Sequence, residues 1–529
     1  MSSPDEQDGL PKGWAAAELE HVAEVHDDLR EPVNAEERAH RTGPYPYYGA
    51  TGQVGWIDGF LMDGEYVLLG EDGAPFLDPT KPKAYMVKGK AWVNNHAHVL
   101  KGIDGLCENR FLLHALNHAD YRGFANGTTR LKLTQGAMRR LPLRLPPPPE
   151  QRRIVAKIEE LFSDLDAGVA ALERVRANLK RYRASVLKAA VEGRLTARWR
   201  KAHPNTEPAA KLLERILDER RKKWEAEQLA KFAKAGKPPP KGWQAKYTEP
   251  AAPDTSNLPG LPRGWCWATV EQLTATASNG FGKRGQEDGS PTIVLRLADI
   301  DLGVISLASP RSINATADEI EDYRLLPDDL LAVRVNGSPD LVGRLVRYGG
   351  SEQPLLFCDH FIRLRLVRPE MAAFLRHYGD TSDARHFVDQ NKVCSAGQNT
   401  ISQTTLARMV VPVPPASERD RIVSETERLL SMATAIGAGL EHCLTRAARL
   451  RQSILKRAFE GKLVPQDPTD EPADKLLERM ASAKAREAPA KSGTGRAERP
   501  RGRRADRTAA ASSALPGRKR AHWNHLRNR

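Results

Sequence analysis

The sequence lacks the marks of a disulfide-stabilised or membrane-spanning protein. Its five cysteines are scattered over 529 residues and include no Cys-x-x-Cys pair, so neither a disulfide framework nor a zinc knuckle is indicated. No apolar run approaches the roughly 20 residues that span a bilayer. Residues 1–9 are acidic and polar, unlike a signal peptide. These absences favour a soluble protein of the reducing cytoplasm.

Motifs for catalysis are missing as well. No G-x-x-x-x-G-K-[ST] phosphate loop occurs, and the Gly-x-Gly at 280–282 lacks a third glycine and a following helix. The Asn-Pro-Pro-aromatic motif of adenine methyltransferases is also absent. His96, His98, His114 and His118 are the best metal candidates, but position 115 is alanine, so there is no H-E-x-x-H. We therefore predict a chain without catalytic, cofactor-binding or metal-binding residues.

Positive charge is concentrated near the end of the chain. The formal net charge is +14, and residues 481–529 hold fourteen Lys or Arg against three acids. Ala, Ser, Pro, Gly and Arg dominate this stretch, which has too little apolar content to bury a core. We expect a disordered basic arm, suited to nucleic acid, although a solvated tail without a partner would have the same composition.

Two stretches of matching pattern, 150–195 and 418–463, organise the sequence. In each, apolar or small residues recur at alternating steps of four and three, which is a heptad pattern. Proline pairs precede both stretches, and Glu-Gly-Arg-Leu or Glu-Gly-Lys-Leu closes them, so each glycine is expected to form a left-handed helix cap. The pattern predicts two helical rods, each about 64 Å long.

We expect the two rods to pack on each other along their apolar stripes as an antiparallel coiled coil. Two surface helices on separate cores are the alternative, but such helices seldom keep a heptad for six repeats. The predicted seam comprises Ile154, Ile158, Leu161, Leu165, Leu172, Val175, Leu179, Tyr182, Val186, Ile422, Leu429, Ile436, Leu440, Leu450 and Ile454.

Shorter repeats flank the rods. Leu-Pro-Lys-Gly-Trp at 10–14 returns as Leu-Pro-Arg-Gly-Trp at 261–265, and Glu-Pro-Ala at 207–209 returns at 471–473. A duplication explains these pairs better than chance. The predicted division is a globular segment at 10–145, a spacer helix at 146–196, a charged helix and Pro-rich linker at 197–260, a second globular segment at 261–413, a second spacer helix at 414–465, and a helix remnant with the basic tail at 466–529.

The two globular segments are predicted to be mostly β. Short β-rich runs separated by turn residues occur at 54–57, 66–69 and 85–87 in the first and at 293–297, 330–335, 343–348 and 361–367 in the second. Apart from their ends, the segments share little sequence. Duplicated rods joined to unlike segments imply one mechanical role and two recognition roles.

Polar side chains that could read base edges and phosphates cluster in both segments. Ordinary polar loops would look similar at any single position, but the clusters favour DNA contact. The candidates are Tyr47, Tyr48, Thr51, Gln53, Asn94, Asn95, His96, Thr128, Thr129, Arg130, Lys132, Arg296, Arg334, Asn336, Ser338, Arg344, His360, Ser395, Gln398, Asn399 and Thr400.

The repeated helix motif resembles a known family. Pro-Pro-x-x-Glu followed by Arg-Ile-Val, and the helix ending Ser-Val-Leu-Lys-Ala-Ala-Val-Glu-Gly-Arg-Leu, are similar to the specificity subunit of Type I restriction-modification enzymes. Tyr-Gly-Ala-Thr-Gly at 48–52 and Ala-Gly-Gln-Asn-Thr at 396–400 resemble pieces of its target recognition domains. The resemblance covers residues 10 to about 465, and the helix after residue 207 and the arginine-rich tail lie outside it.

The resemblance implies a non-catalytic DNA-binding subunit that reads a split target on double-stranded DNA. Its partners would be two modification (methyltransferase) subunits and the restriction subunits, which would bind S-adenosylmethionine, ATP and magnesium. Two other classes remain open. A coiled-coil regulator would carry a small helix-turn-helix, and a single-chain nuclease would need clustered acids near a lysine; neither pattern is found in the sequence.

Overall fold

The computed structural model describes residues 9–282, 289–301 and 303–487, and the fold within them is mixed α+β. Two globular parts, named segment 1 (10–145) and segment 2 (261–413), are each followed by a long helix. In the described ranges, no helix combines the length and apolar character that a membrane crossing requires. Most of the predicted basic tail, from residue 488, lies outside the described residues.

Segment 1 is built on a six-stranded sheet. Its elements are β1 (Ala15–Glu18), α1 (Leu19–Val22), β2 (Ala23–Val25), α2 (Ala35–His40), β3 (Tyr45–Gly49), β4 (Gly52–Ile57), β5 (Met62–Gly70), β6 (Ala84–Val93), β7 (Ala97–Gly102), α3 (Asn109–His118), β8 (Ala125–Asn126), β9 (Lys132–Leu133), α4 (Gln135–Arg139) and β10 (Pro142–Leu145). The sheet order is β2-β7-β5-β6-β3-β4, and only β3 and β6 run parallel. The β runs predicted in this segment are confirmed, because they fall within β4, β5 and β6.

The first rod helix and the linker follow directly. α5 spans Pro148–Val191, α6 spans Ala197–Ala202 and α7 spans Ala209–Lys234. Pro148 begins α5, where a missing backbone N–H costs nothing. Gly193 adopts φ +65° just past its end, and Gly461 adopts φ +68° past the second rod, so both predicted left-handed caps are confirmed.

Segment 2 divides its strands among several small sheets. Its elements are β11 (Cys266–Thr269), α8 (Val270–Leu273), β12 (Thr274–Asn279), β13 (Ser290–Leu295), β14 (Ile300–Asp301), β15 (Val304–Ile305), β16 (Arg311–Ala315), α9 (Ala317–Tyr323), β17 (Leu330–Val333), β18 (Val335–Asn336), β19 (Leu345–Arg347), β20 (Leu355–Phe357), β21 (Phe361–Leu366), α10 (Ala372–Gly379), α11 (Ser382–Asn391), β22 (Val393–Ser395), β23 (Gln398–Thr400), α12 (Gln403–Ala407) and β24 (Val410–Val413). The main sheet has the order β12-β21-β17-β19, and β18-β23-β22 forms another.

All four strand predictions in segment 2 were too long, since β19 covers only Leu345–Arg347 of the run at 343–348 and β21 ends at Leu366. The run at 293–297 ends at Leu295, because Leu297–Asp299 form a 3-10 helix whose N-cap residue, Arg296, donates its backbone N–H to Asp299. The run at 330–335 breaks at Arg334, and its two pieces, β17 and β18, join different sheets. Alternation of side chains therefore identified the strands but not the points where the chain changes sheet.

The second rod helix, α13, spans Ala416–Phe459, and α14 spans Ala473–Glu487. α13 runs opposite to α5: Arg176 Nη2 lies 3.1 Å from Glu441 Oε1, Arg183 Nη2 donates to Thr434 Oγ1 at 3.1 Å, and Arg451 pairs with Asp166. As the contacts proceed along α5 from Asp166 to Arg183, their partners proceed backwards along α13 from Arg451 to Thr434. The two helices are therefore antiparallel. α14 also corrects the tail prediction, since the helix continues through residues 481–487.

The rod ends are embedded in the cores of both segments. Ile154 and Ile158 of α5 share the core of segment 1 with Phe459 of α13, whereas Val191 of α5 and Ile422 of α13 share the core of segment 2. Each helix therefore begins in one core and ends in the other. This arrangement fixes the separation of the two segments by the length of the rods.

Several residues in the middle of the predicted seam are exposed. Val175 and Tyr182 are each 44% exposed, Ile436 is 51% exposed and Leu450 is 49% exposed, so burial of these four is a wrong prediction. Two helices can cover only one side of each other. The buried line on α13 instead follows Thr426, Ala433 and Leu440, spaced seven apart. The remaining predicted seam residues, Ile154, Ile158, Leu161, Leu165, Leu172, Leu179, Val186, Ile422, Leu429 and Ile454, are buried or half-buried.

Candidate nucleic-acid interface

Four loops of segment 1 meet at one end of its sheet, where the Glu71 N–H after β5 donates to the His96 carbonyl of the β6–β7 turn at 2.7 Å. The Asn94 N–H donates to the Tyr48 carbonyl at 3.1 Å, which joins the β6–β7 turn to the β3–β4 hairpin. The Gly73 N–H donates to the Leu131 carbonyl at 2.9 Å, which joins the turn after β5 to the β8–β9 hairpin. This end of the sheet, called face 1, thus collects the predicted candidates Tyr48, Thr51, Gln53, Asn94, Asn95, His96, Thr128, Thr129, Arg130 and Lys132.

The cations of face 1 are paired with acids. Arg130 Nε lies 2.9 Å from Asp72 Oδ1, and Lys132 Nζ lies 3.2 Å from Glu71 Oε1. His96 Nδ1 lies 3.6 Å from Asp72 Oδ2. Sequence reasoning missed both acids, which follow β5 and carry no local signal of a site. Arg130 and Lys132 therefore hold the hairpin to the sheet, and their charge toward a phosphate is reduced.

Two candidates in segment 1 are structural. Tyr47 is 1% exposed, and its hydroxyl accepts from the Val33 N–H at 3.1 Å. Asn94 is 9% exposed, and its Oδ1 accepts from the His96 N–H at 2.8 Å, which fixes the turn. Both side chains are buried within segment 1, and their contact with DNA stays a prediction. The exposed candidates on face 1 are Thr51, Gln53, Asn95, Thr128, Thr129, Arg130 and Lys132.

Segment 2 forms a comparable face around Arg334. The Arg334 N–H donates to the His360 carbonyl at 2.7 Å, and its side chain donates to the Asp359 carbonyl at 3.2 Å. Asn336 on β18 pairs with Asn399 on β23. This face, called face 2, collects the predicted candidates Arg334, Asn336, Ser338, His360, Ser395, Gln398, Asn399 and Thr400.

Three candidates of segment 2 have other partners. Asn399 is 7% exposed, and its Nδ2 donates to the Gly337 carbonyl at 3.1 Å, so its side chain is buried and its contact with DNA stays a prediction. Arg296 Nη2 lies 2.7 Å from Asp299 Oδ1, and Arg344 Nη1 lies 2.6 Å from Asp380 Oδ1. Both arginines are occupied in fixing loops. Ser338, Ser395 and Gln398 are the fully exposed candidates of face 2.

The histidines considered as metal ligands are not brought together. His98 bonds to Asp27, His114 packs edge-on against Phe162, and His118 stacks on Phe459 with ring centroids 5.0 Å apart. Burial lowers the pKa of His114 to about 4. In the described part of the chain, one set of adjacent residues, Cys358, Asp359 and His360, places its ligand atoms within 4.8 Å of one another.

Both faces occur at the same place in a shared strand arrangement. In segment 1, β6 pairs in parallel with β3 and leads into the turn at Asn94–His96. In segment 2, β20 pairs in parallel with β13 and leads into the turn at Cys358–His360. The strand after each turn, β7 or β21, pairs antiparallel with β5 or β17. The two segments thus share a local order of parallel pair, turn and antiparallel strand, although segment 1 holds these strands in one sheet and segment 2 holds them in two.

Residues 11–174 match the Type I restriction modification DNA specificity domain family. The resemblance to Type I specificity subunits is thereby confirmed. The chain is 30% identical to the StySPI specificity subunit of Salmonella potsdam over 345 residues, which are 64% of this chain and 62% of the relative. It is 25% identical to the EcoDI specificity subunit of Escherichia coli over 504 residues, which are 90% of this chain and 96% of that relative.

A solved structure supports the fold. A chain from a study of complex assembly and conformational transition of the type I R-M system matches 86% of this chain and 99% of its own length, with a TM-score of 0.53 and 18% identity. At that identity the match bears on the fold alone. The sequence match to the StySPI subunit spans about 62% of that protein's length.

Proposed function

We propose that this chain is the non-catalytic DNA-recognition subunit of a Type I restriction-modification complex. Residues 10–145 would read one half of a split target on double-stranded DNA, and residues 261–413 would read the other. The observation that carries this proposal is the shared strand framework with unlike faces. A common framework orients the two segments in the same way on their rods, and different exposed side chains let each read its own bases.

The chain would also be an internal pseudo-two-fold repeat, and matching backbone contacts around the two segments support this part of the proposal. β1 pairs antiparallel with β10, and β11 pairs in the same way with β24 at matching positions of segment 2. The Ala209 N–H donates to the Gly264 carbonyl at 2.8 Å, and the Ala473 N–H donates to the Gly13 carbonyl at 2.9 Å. Corresponding contacts thus recur around both segments. A bipartite DNA target would match such a protein.

The two rods would act as an antiparallel coiled-coil spacer. Because each rod begins in one core and ends in the other, its length sets the number of unread base pairs between the half-sites. The exposed apolar residues at mid-rod, Val175, Tyr182, Ile436 and Leu450, would then dock two modification (methyltransferase) subunits. Restriction subunits would join that complex, and S-adenosylmethionine, ATP and magnesium would be bound by the partners.

The test is a footprint of the complex of this chain with its methyltransferase subunits. Two protected patches separated by an unprotected stretch are expected on target DNA, and methyl transfer is expected only when the partner subunit is present. One continuous patch would argue against a split target. Methyl transfer by this chain in a preparation free of the partner would contradict the non-catalytic role.

A further inference from the structure

A buried histidine lies directly beneath the β8–β9 hairpin of face 1. His98, on β7, is 0% exposed. Its Nδ1 lies 2.8 Å from Asp27 Oδ2, and its Nε2 lies 3.0 Å from the carbonyl oxygen of Leu133, the last residue of β9. One imidazole therefore joins the loop after β2 to the hairpin that carries Thr128 and Thr129.

The partners of His98 require both of its ring nitrogens to donate. The Leu133 carbonyl oxygen can only accept, so Nε2 carries a hydrogen. Asp27 is an acceptor as well, because it also receives the Val99 N–H at 3.0 Å and Gln135 Nε2 at 2.8 Å. Burial alone would raise the pKa of Asp27, but its hydrogen bonds, first that from His98, bring it below the ordinary value. Both ring nitrogens therefore face acceptors, an arrangement that an imidazolium satisfies.

The surrounding charges suit a buried cation. Glu71 Oε2 lies 3.8 Å from His98 Nδ1. Arg30 bridges the two acids, 3.0 Å from Asp27 and 2.6 Å from Glu71, and Lys132 also binds Glu71. Acids and cations thus alternate through the cluster. Buried charges persist when each is paired and hydrogen-bonded in this way.

The cluster connects to the hairpin at two adjacent residues. The Leu133 N–H donates to the Glu71 carbonyl at 2.8 Å, while the Leu133 carbonyl accepts from His98. Lys132, one residue earlier, pairs with the Glu71 side chain. Leu133 is therefore fixed relative to β5 and β7 through both its backbone N–H and its carbonyl oxygen. The direction of the hairpin tip follows from these bonds.

Segment 2 holds its own hairpin by different means. Its β22–β23 hairpin is paired with β18 in a three-stranded sheet. At the place on β21 that matches His98 on β7, segment 2 has Ile362: Leu69 pairs with His98 across β5 and β7, and Ala332 pairs with Ile362 across β17 and β21. No charge can be held there. An effect of this buried cation should therefore be confined to one half-site.

We propose that His98 is a positioning residue for DNA reading: as a buried imidazolium it sets the β8–β9 hairpin so that residues 127–131 meet the first half-site. The inference rests on the proposed function. It assigns to His98 no contact with DNA. Residues 127–131 would contact the DNA, and His98 would orient them, a distinction that sequence patterns cannot make.

The test compares His98→Gln with His114→Gln in the complex with the methyltransferase subunits. His114 is the matched control, because it is also buried in segment 1 but its Nε2 has no hydrogen-bond partner among the described residues. Discrimination is measured as methylation of DNA with single mismatches in each half-site. We expect His98→Gln to lower discrimination about tenfold at the first half-site, which is the one read by segment 1. Discrimination at the second half-site should stay unchanged, and His114→Gln should leave discrimination at both unchanged.

Two further measurements secure the interpretation. Asp27→Asn keeps a carbonyl acceptor and removes the charge, so it should reproduce the half-selective loss even if the His98 variant does not assemble. The ring ¹⁵N signals of His98 should show both nitrogens protonated. First-half discrimination within twofold of wild type, equal loss in both halves, or a neutral-tautomer ¹⁵N pattern would overturn the inference. Failure of the wild-type complex to read a split target would instead overturn the proposed function.

Discussion

The indole Nε1–H of Trp265 donates to the carboxylate of Glu418 at 3.0 Å, where Glu418 is 1% exposed at the start of the second rod. Thr196 Oγ1 and Arg200 Nε also donate to Glu418, at 2.7 and 2.9 Å. These donors come from two parts of the chain, and Glu418 belongs to a third. The carboxylate thus joins the end of the first rod, the entry to segment 2 and the start of the second rod.

The matching site of segment 1 is built differently. Trp14 and Glu150 occupy the corresponding places, but Glu150 Oε1 has no hydrogen-bond partner among the described residues. Arg153 is directed to Asp470 instead, at 2.7 Å. Burial raises the pKa of Glu150 above its ordinary value. Its carboxylate is therefore less well satisfied than that of Glu418.

The two carboxylates should respond unequally to neutralisation. We expect Glu418→Gln to lower the free energy of unfolding by about 2–4 kcal/mol, because it leaves the Arg200 charge without its buried partner. Glu150→Gln should cost less than about 1 kcal/mol. Denaturant unfolding of the two variants measures the difference. Equal losses would show that the cation at Glu418 contributes nothing.

Acid should loosen face 1. Burial alone would raise the pKa of Glu71, but hydrogen bonds, first that from Arg30, bring it below its ordinary value of 4.5, and Asp27 is likewise below 3.8. Groups with lowered pKa contribute stability that is complete above the ordinary values and is lost as pH falls through the folded-state values. Below pH 4.5, the midpoint of denaturant unfolding should decrease more steeply with falling pH for wild type than for Glu71→Gln. Parallel pH profiles would contradict this coupling.

The basic tail should add affinity without adding specificity. Residues 488–529 hold twelve Lys or Arg against two acids. If the tail contacts phosphates, deleting it should flatten the dependence of log affinity on log salt, since fewer counterions are released on binding. The preferred target should stay the same. An unchanged salt slope would mean that the tail takes no part in DNA binding.

Rod length should set the gap between the half-sites. Ala170 on α5 and Ala447 on α13 lie opposite each other in the register given by Arg176 with Glu441 and Arg183 with Thr434. Inserting one heptad after each residue lengthens both rods by about 10 Å, which corresponds to about three base pairs. The methylated target should gain that number of unread base pairs.

The control for this experiment is the heptad insertion in α5 alone. It displaces every later contact between the rods and should impair assembly. An unchanged gap in the double-insertion variant would show that the spacing is set elsewhere in the complex.

Local sequence could predict the rods but not their surroundings. The prolines before each rod and the left-handed glycines Gly193 and Gly461 act within a few residues, so the pattern gave the helix ends closely. The core that Phe459 shares with Phe111 joins distant parts of the chain and leaves no local signal. For the same reason the exposure of Tyr182 in the seam could not be foreseen.

The candidate interface was predictable as a set of loops but not residue by residue. Polar residues beside glycine-containing turns in the sequence indicated where both faces lie. Whether such a side chain faces solvent or the protein depends on its partners, as the buried Tyr47 and the Asp72-bound Arg130 show. From the sequence, His98 was a candidate only as one of four possible metal ligands. Its two acceptors come from separate loops, which the pattern could not reveal.

The most direct test of the account is an exchange of residues 261–411 for the equivalent segment of a relative, followed by sequencing of methylated adenines in cells that carry the methyltransferase subunit. If recognition is modular, one half of the target changes, while the other half and the number of unread base pairs between them stay as they were. A change in both halves, or in the spacing, would contradict the assignment of one half-site to each segment.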